Sequence, residues 1–188
     1  MLKKTSRDTG KLEGHINIVL KDKDGNIKKL FNLNFIGRML RNLNIQAPKL
    51  FLFGSWKNEL AIHNLITTAG KGLGTALLGA VGSPAACTYL ELGIGTNAAA
   101  AADTALQSAI TDSGLARAAA TVTQQTTTTT NDTLQLVKQW TASGSKAITE
   151  CGIFNASSSG SMFGRQVFSA INVVSTDTIQ ITYQVKLS

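Results

Sequence analysis

The chain has 188 residues, and its charged fraction of 15% is well below the roughly 25% that is typical of soluble globular domains. Its apolar fraction of 43% is enough to form the core of one domain. The polar surface must therefore come mainly from Thr, Ser, Asn and Gln, which suits a protein covered by partners better than a freely diffusing enzyme.

The net charge of +7 is unevenly distributed. Residues 1–80 hold 13 Lys and Arg against 5 Asp and Glu, whereas residues 81–188 hold 5 against 6. A basic segment can bind nucleic acid, anionic lipid or an acidic protein surface. This one lacks the dense Lys/Arg clusters with interleaved aromatics of a nucleic-acid groove, so we expect an acidic protein neighbour. The start of the chain lacks the apolar stretch of a signal peptide, and no run is long enough to span a bilayer.

The N-terminal third predicts a hairpin followed by helices. Residues 15–33 alternate around Asp24-Gly25, a dipeptide of tight hairpin turns, and the return strand is predicted at 27–33. Apolar residues at helical spacing predict a short helix at 35–43, and the apolar segment 49–56 is expected to be a strand or a buried crossing. The longest helix is predicted at 57–80, with a break or tight packing near Gly70–Gly74.

From Cys87 onward the pattern is typical of β-structure. A strand is predicted around Tyr89–Ile94, followed by a loop at 97–116 that holds one short helix capped by Asp103. The five threonines at 126–130 favour an edge or solvent-facing strand, because Thr is β-branched. The remaining predicted strands are at 132–142, 146–154, 162–168 and 177–187, the last of which alternates almost perfectly.

These elements predict a mainly β protein, an antiparallel β-sandwich of about six strands with an N-terminal hairpin and one or two helices. We expect two parts. Residues 1–60 would form a basic hairpin and helix segment for docking, and residues 61–188 would form a helix plus the Thr/Ser-rich sandwich.

The candidate chemical groups do not form a catalytic or metal-binding pattern. The two histidines, His15 and His63, are predicted on a strand and a helix, without the spacing of metal ligands. Cys87 and Cys151 lie in apolar runs, as packing cysteines do, and a disulfide between them is the alternative. The neighbouring Glu150 would raise the pKa of the Cys151 thiol. The chain has no G-x-S-x-G nucleophile motif.

Two further patterns are explained better by structure than by chemistry. The glycine-rich segment 69–75 resembles a phosphate loop, but Gly72 follows Lys71 where Ser or Thr is required. Glu91 and Glu150 lie in apolar strands, and we expect ion pairs with Arg117 or Arg165 rather than a glycosidase dyad. We therefore expect no catalytic, cofactor-binding or metal-binding residues and no cofactor.

Several short motifs in residues 60–188 carry a resemblance. They are NLITTAGK at 64–71, LGIGTN at 92–97, DTAL at 103–106, AITECGIFN at 147–155, MFGRQVF at 162–168 and IQITY at 179–183. On these motifs the chain resembles a family of small virion structural proteins of tailed bacteriophages, which includes head-decoration, tail and fibre-base proteins. The resemblance implies a turn-and-strand framework, and it carries no catalytic residue across.

We therefore expect a non-enzymatic subunit of a bacteriophage virion, assembled in the reducing host cytoplasm. The expected role is capsid decoration or cementing, as a homo-oligomer in contact with other virion proteins and without a small-molecule substrate, nucleic acid or membrane. A tail, collar or fibre-attachment protein is an alternative. A receptor- or carbohydrate-binding module is another, and it would need Trp56 or Trp140 exposed.

Overall fold

The computed structural model describes residues 11–43, 52 and 54–188. Within them the chain is mainly β, as predicted. The elements in chain order are β1 (Leu12–Lys21), β2 (Leu30–Leu33), α1 (Phe35–Asn42), β3 (Gly54–Lys57), β4 (Leu60–Ile66), α2 (Thr68–Gly79), β5 (Tyr89–Gly93), β6 (Ala118–Ala119), β7 (Thr121–Gln125), β8 (Thr133–Thr141), β9 (Lys146–Phe154), β10 (Met162–Val173) and β11 (Thr178–Leu187).

Nine of the strands form one antiparallel sheet in the order β6-β5-β9-β10-β4-β1-β11-β8-β7. The two edge strands, β6 and β7, are separated in the chain by Ala120 alone, so the twisted sheet curls until its ends almost meet. Strands β2 and β3 form a separate two-stranded sheet. The antiparallel prediction is confirmed, whereas a six-stranded sandwich does not match this single, nearly closed sheet.

The core lies inside the curled sheet and follows the two-residue period of its strands. On β11, Ile179, Ile181 and Tyr183 are fully buried, as the alternation predicted. Ile16 and Ile18 on β1 pair with Tyr183 and Ile181 across the ladder and are buried with them. Strand β1 thus lies in the middle of the main sheet, between β4 and β11. The sheet therefore continues across the expected boundary at residue 60.

The predicted helix at 57–80 is wrong in its first half. Leu60, Ile62 and Ile66 are buried on one face of strand β4, because every second position of that segment faces the core. The helix starts only after Thr67, whose hydroxyl accepts a hydrogen bond from the Gly70 N–H. The expected break near Gly70–Gly74 is absent, but tight packing is present.

The predicted N-terminal hairpin is only partly present. The turn forms at Asp24-Gly25, where Gly25 has a φ of 84°, and Lys21 forms a single bridge with Ile27. The return strand, however, is β2, which pairs with β3 instead of β1. Both edges of β1 are already occupied by β4 and β11, so a third partner has no place there. The helix predicted at 35–43 is confirmed as α1, and the rest of the strand predicted at 49–56, before β3, lies largely outside the described residues.

Two predictions about the C-terminal half are corrected. Residues 97–116 contain no helix, and Asp103 accepts a hydrogen bond from the Ala100 N–H behind it instead of capping a helix ahead of it. The threonines at 126–130 form a turn and not a strand, because the Asp132 carboxylate collects the N–H groups of Thr127, Thr128 and Thr129. Strand β7 ends just before that turn.

Candidate functional site

The buried charged groups are concentrated on the outer face of β5, β9 and β10. Leu92 and Cys151 on these strands face the main core, whereas Glu91, Glu150 and Arg165 point the other way. Residues 94–117, which we call the covering loop, lie over this outer face. Leu106 of the covering loop forms a second small core there, with Phe154 and Met162.

Glu150 is the centre of the arrangement and has no exposed surface. Its Oε1 accepts hydrogen bonds from the N–H groups of Gly95 at 2.9 Å and Ser108 at 2.8 Å. Its Oε2 accepts from Arg165 Nε at 2.8 Å and from the Gln107 N–H at 3.1 Å. The carboxylate therefore ties two separate parts of the covering loop to β9 and β10.

Arg165 uses its remaining nitrogens on the same loop. Its Nη1 donates to Asp103 Oδ2 at 2.8 Å, and its Nη2 donates to the Asn97 carbonyl at 3.2 Å. The Thr149 hydroxyl adds a bond of 2.7 Å to the Gly95 carbonyl. A buried charge is tolerated when it is paired and hydrogen-bonded, and this network meets that condition.

A second ion pair fastens the end of the covering loop. Arg117 Nη2 lies 2.9 Å from Glu91 Oε2, and the guanidinium carbon lies 3.7 Å from the centroid of the Phe154 ring. Arg117 Nη1 also donates to the carbonyls of Ala156 and Ser159, which belong to the turn between β9 and β10. The prediction that Glu91 and Glu150 pair with these arginines is confirmed, and the structure assigns Arg117 to Glu91 and Arg165 to Glu150.

Glycine allows the covering loop to approach so closely. A Cβ atom on Gly93 would lie 2.5 Å from Glu150 Oε1 and 2.7 Å from the Ser108 carbonyl oxygen. A Cβ on Gly95 would meet the same carboxylate, and one on Gly152 would lie 3.0 Å from Leu106 Cδ2. The motifs at 92–97, 103–106, 147–155 and 162–168 therefore supply the residues that hold the covering loop on the sheet.

The buried thiols and phenol belong to the interior. Cys87 and Cys151 are free and buried, and burial raises the pKa of the Cys87 thiol to about 12. Burial, followed by the charge of Glu150, raises the pKa of the Cys151 thiol still further. Burial also raises the pKa of the Tyr183 phenol, whose oxygen accepts a hydrogen bond from the Asn64 side chain. None of these groups is poised as a nucleophile.

The glycine-rich segment 69–75 lies in helix α2 and forms no phosphate loop. Gly70 packs directly on the backbone of Phe163 in β10, which leaves no room for a side chain. The part of the chain that the structure describes holds no group of three or more His, Cys, Asp or Glu side chains placed to bind a metal ion.

The two histidines lie in contact, although their separation in the sequence did not predict it. His15 on β1 is directly opposite His63 on β4, and their ring centroids are 4.4 Å apart. The prediction of a helix at 57–80 concealed this contact, because a helical His63 has no cross-strand partner. The alternation of Leu60, Ile62 and Ile66 was the signal that could have revealed it.

The surface carries two features of interest. Trp140 is buried and donates its indole N–H to the Ala116 carbonyl, whereas Trp56 is 53% exposed beside an open depression of about 420 Å³. At the end of α2, Leu77, Leu78 and Val81 are exposed together. Across the described ranges, no helix is long and apolar enough to cross a membrane.

Comparison with known proteins adds no assignment: no protein-family model, curated protein or solved structure matches this chain.

Proposed function

We propose that the chain is a non-enzymatic structural subunit of a bacteriophage virion, a capsid decoration or cementing protein that packs on neighbouring subunits. The proposal rests on the resemblance of its motifs to phage virion proteins and on one structural observation. That observation is the apolar surface at the end of α2.

The apolar surface consists of Leu77, Leu78 and Val81, which are 38%, 86% and 69% exposed, respectively. The helix ends in a left-handed Ala80, whose N–H bonds back to the Leu77 carbonyl, so the three side chains are held on an ordered turn. The last turn of α2 has the sequence Ala-Leu-Leu-Gly, so no charged side chain lies among these apolar residues on the helix. Adjacent exposed apolar side chains of this kind are typical of protein interaction sites.

The interior supports a structural role in a different way. Glu91, Glu150, Arg117 and Arg165 have their charged atoms engaged in holding the covering loop. Each of these side chains would have to break buried hydrogen bonds or an ion pair before it could act on a substrate. A nearly closed sheet, with its covering loop held by buried ion pairs, suits a subunit that packs between neighbours.

The test uses purified virions separated into head and tail fractions and labelled with gold-tagged antibody against the chain. We expect regular labelling over the heads. Labelling confined to the neck or tail would overturn the decoration role in favour of a connector, collar or fibre-attachment role. Absence from both fractions would overturn the virion assignment itself.

A matched pair of variants tests the apolar surface. In the assay, purified subunit is added to phage heads that lack this protein. Leu78→Asp places a charge at the centre of the apolar surface and should prevent the subunit from binding to those heads. Val174→Asp changes an exposed apolar residue of the β10–β11 turn and should bind normally. Equal binding of both variants would contradict the role of α2.

A carbohydrate-binding module is the second candidate, and Trp56 favours it. The depression beside Trp56 is lined by Asn32, Asn58 and Glu59, whose amide and carboxylate groups can hydrogen-bond sugar hydroxyls. Titration with host surface glycans, with Trp56→Ala beside the parent chain, tests this function. Saturable binding that is lost in the variant would favour it over capsid decoration.

A further inference from the structure

The His15–His63 pair lies on the outer face of the main sheet. The two residues are directly opposed on antiparallel strands β1 and β4, and their neighbours Ile16 and Ile62 are also paired but face the core. The His15 side chain is 38% exposed. Both imidazoles are therefore held by the sheet while remaining accessible to solutes.

We propose that His15 and His63 form a two-histidine chelate for a divalent transition-metal ion of the Zn²⁺, Ni²⁺ and Cu²⁺ class. Neutral imidazole is the ligand that these ions prefer among the exposed groups here. Water completes the coordination shell, because the described chain places only two such ligands together.

The geometry suits coordination at adjacent positions of one ion. With metal–nitrogen distances of about 2.0–2.1 Å, two imidazoles bound at right angles have ring centroids roughly 4.5 Å apart. The observed centroid separation is 4.4 Å, with an angle of 56° between the ring planes. The ladder of β1 and β4 holds the two residues opposite each other, so less conformational freedom is lost on binding than in an open chain.

Three charged side chains lie around the pair: Glu13, Lys11 and Lys186. Glu13 Oε2 lies 3.9 Å from His15 Nε2 and contributes negative charge. Lys11 pairs with the same carboxylate, and Lys186 donates to the Thr128 hydroxyl, so the placement of the two rings, and not the local charge, defines the site.

A bound ion would link β1 to β4 through side chains as well as backbone. Because it binds the folded state and not separated strands, it would raise the unfolding temperature as its concentration increases. The site would thus stabilise the position of β1 in the middle of the sheet.

The test is calorimetric titration of the untagged full chain with Zn²⁺, Ni²⁺ and Cu²⁺ at neutral pH, together with thermal unfolding. We expect one ion per chain, with affinity in the order Cu²⁺ > Ni²⁺ and Cu²⁺ > Zn²⁺. His15→Gln and His63→Gln should each weaken binding by roughly tenfold or more, because the second imidazole acts at high effective concentration. Gln184→Ala, which changes the residue opposite His15 on β11, should bind as the parent chain does.

A measurement on the unmodified chain does not depend on variants that fold. His15 and His63 are the two histidines of the sequence, so modification with diethylpyrocarbonate reports on them alone among imidazoles. Bound metal should protect both rings together. Absence of saturable binding, unchanged affinity in His63→Gln, or modification that metal does not slow would each overturn the proposal.

Discussion

Arg165 and Glu150 meet through one carboxylate oxygen, with Glu150 Oε2 lying 2.8 Å from Nε and 2.7 Å from Nη2 of the guanidinium. The Arg165 side chain is 2% exposed and the Glu150 side chain is fully buried. The pair joins neighbouring strands β9 and β10, and both members also bind the covering loop. It therefore determines how that loop lies on the sheet.

Arg165→Met should destabilise the protein strongly, because it leaves the buried Glu150 carboxylate without a cation. Loss of one member of a buried pair typically costs about 3–5 kcal/mol. The double variant Glu150→Gln with Arg165→Met should recover part of that loss, since no uncompensated charge remains. Urea unfolding measures both, and a loss below about 1 kcal/mol for Arg165→Met would contradict a stabilising role for the pair.

Gly93→Ala should also destabilise, because the new methyl group would overlap Glu150 Oε1 and the Ser108 carbonyl. Overpacking of this kind typically costs about 1–3 kcal/mol. Gly72→Ala is the matched control, since a Cβ there meets nothing within 4 Å and the residue lies inside α2. That control should gain about 0.5–1 kcal/mol from helix propensity. Equal effects in the two variants would show that the covering loop is not closely packed.

Asp132 should make stability sensitive to acid. The Thr129 N–H, followed by the N–H groups of Thr127 and Thr128, holds the pKa of the Asp132 carboxyl well below its usual range. The carboxylate contributes its full stabilisation at pH values above about 3.9, which is the pKa of an Asp in the unfolded chain. This contribution is lost as the pH falls below that value and through the lower pKa of the folded chain. The difference in unfolding midpoint between the parent chain and Asp132→Ala should therefore narrow from pH 7 to pH 3. A difference that stays constant with pH would contradict this.

The two cysteines should be inert in the folded protein. Burial raises the pKa of both thiols, so almost no thiolate forms at neutral pH. A chromogenic disulfide reagent should react slowly with the native chain and rapidly with two thiols once urea unfolds it. Fast reaction of the native chain at Cys151 would show that β9 is open to solvent.

Much of the C-terminal half could be predicted from local pattern. Strand β9 has its predicted bounds, and β11 has its predicted core residues Ile179, Ile181 and Tyr183. The pairing of Glu91 and Glu150 with arginines was also predictable, because a carboxylate in an apolar strand needs a cation. Which arginine binds which acid was not predictable, since it depends on the register of β5, β9 and β10.

The incorrect predictions concern segments whose residues suit two different local structures. Leu60, Ile62, Leu65 and Ile66 satisfy a helical stripe about as well as a strand, and the sheet decided between them by giving β4 two neighbours. Likewise, Thr favours strands by its shape, but at 127–129 the Asp132 carboxylate offered backbone N–H groups a nearer acceptor.

Local residue pattern is enough to predict the mainly β character, the inward faces of the regular strands, the turn at Gly25 and the pairing of buried acids. Three features depend on the assembled sheet: its near closure, the pairing of β2 with β3 instead of β1, and the contact between His15 and His63. Side-chain alternation is a local property of a strand, encoded by its own residues. The partner at each strand edge depends instead on which other edges remain unoccupied once the whole sheet has formed.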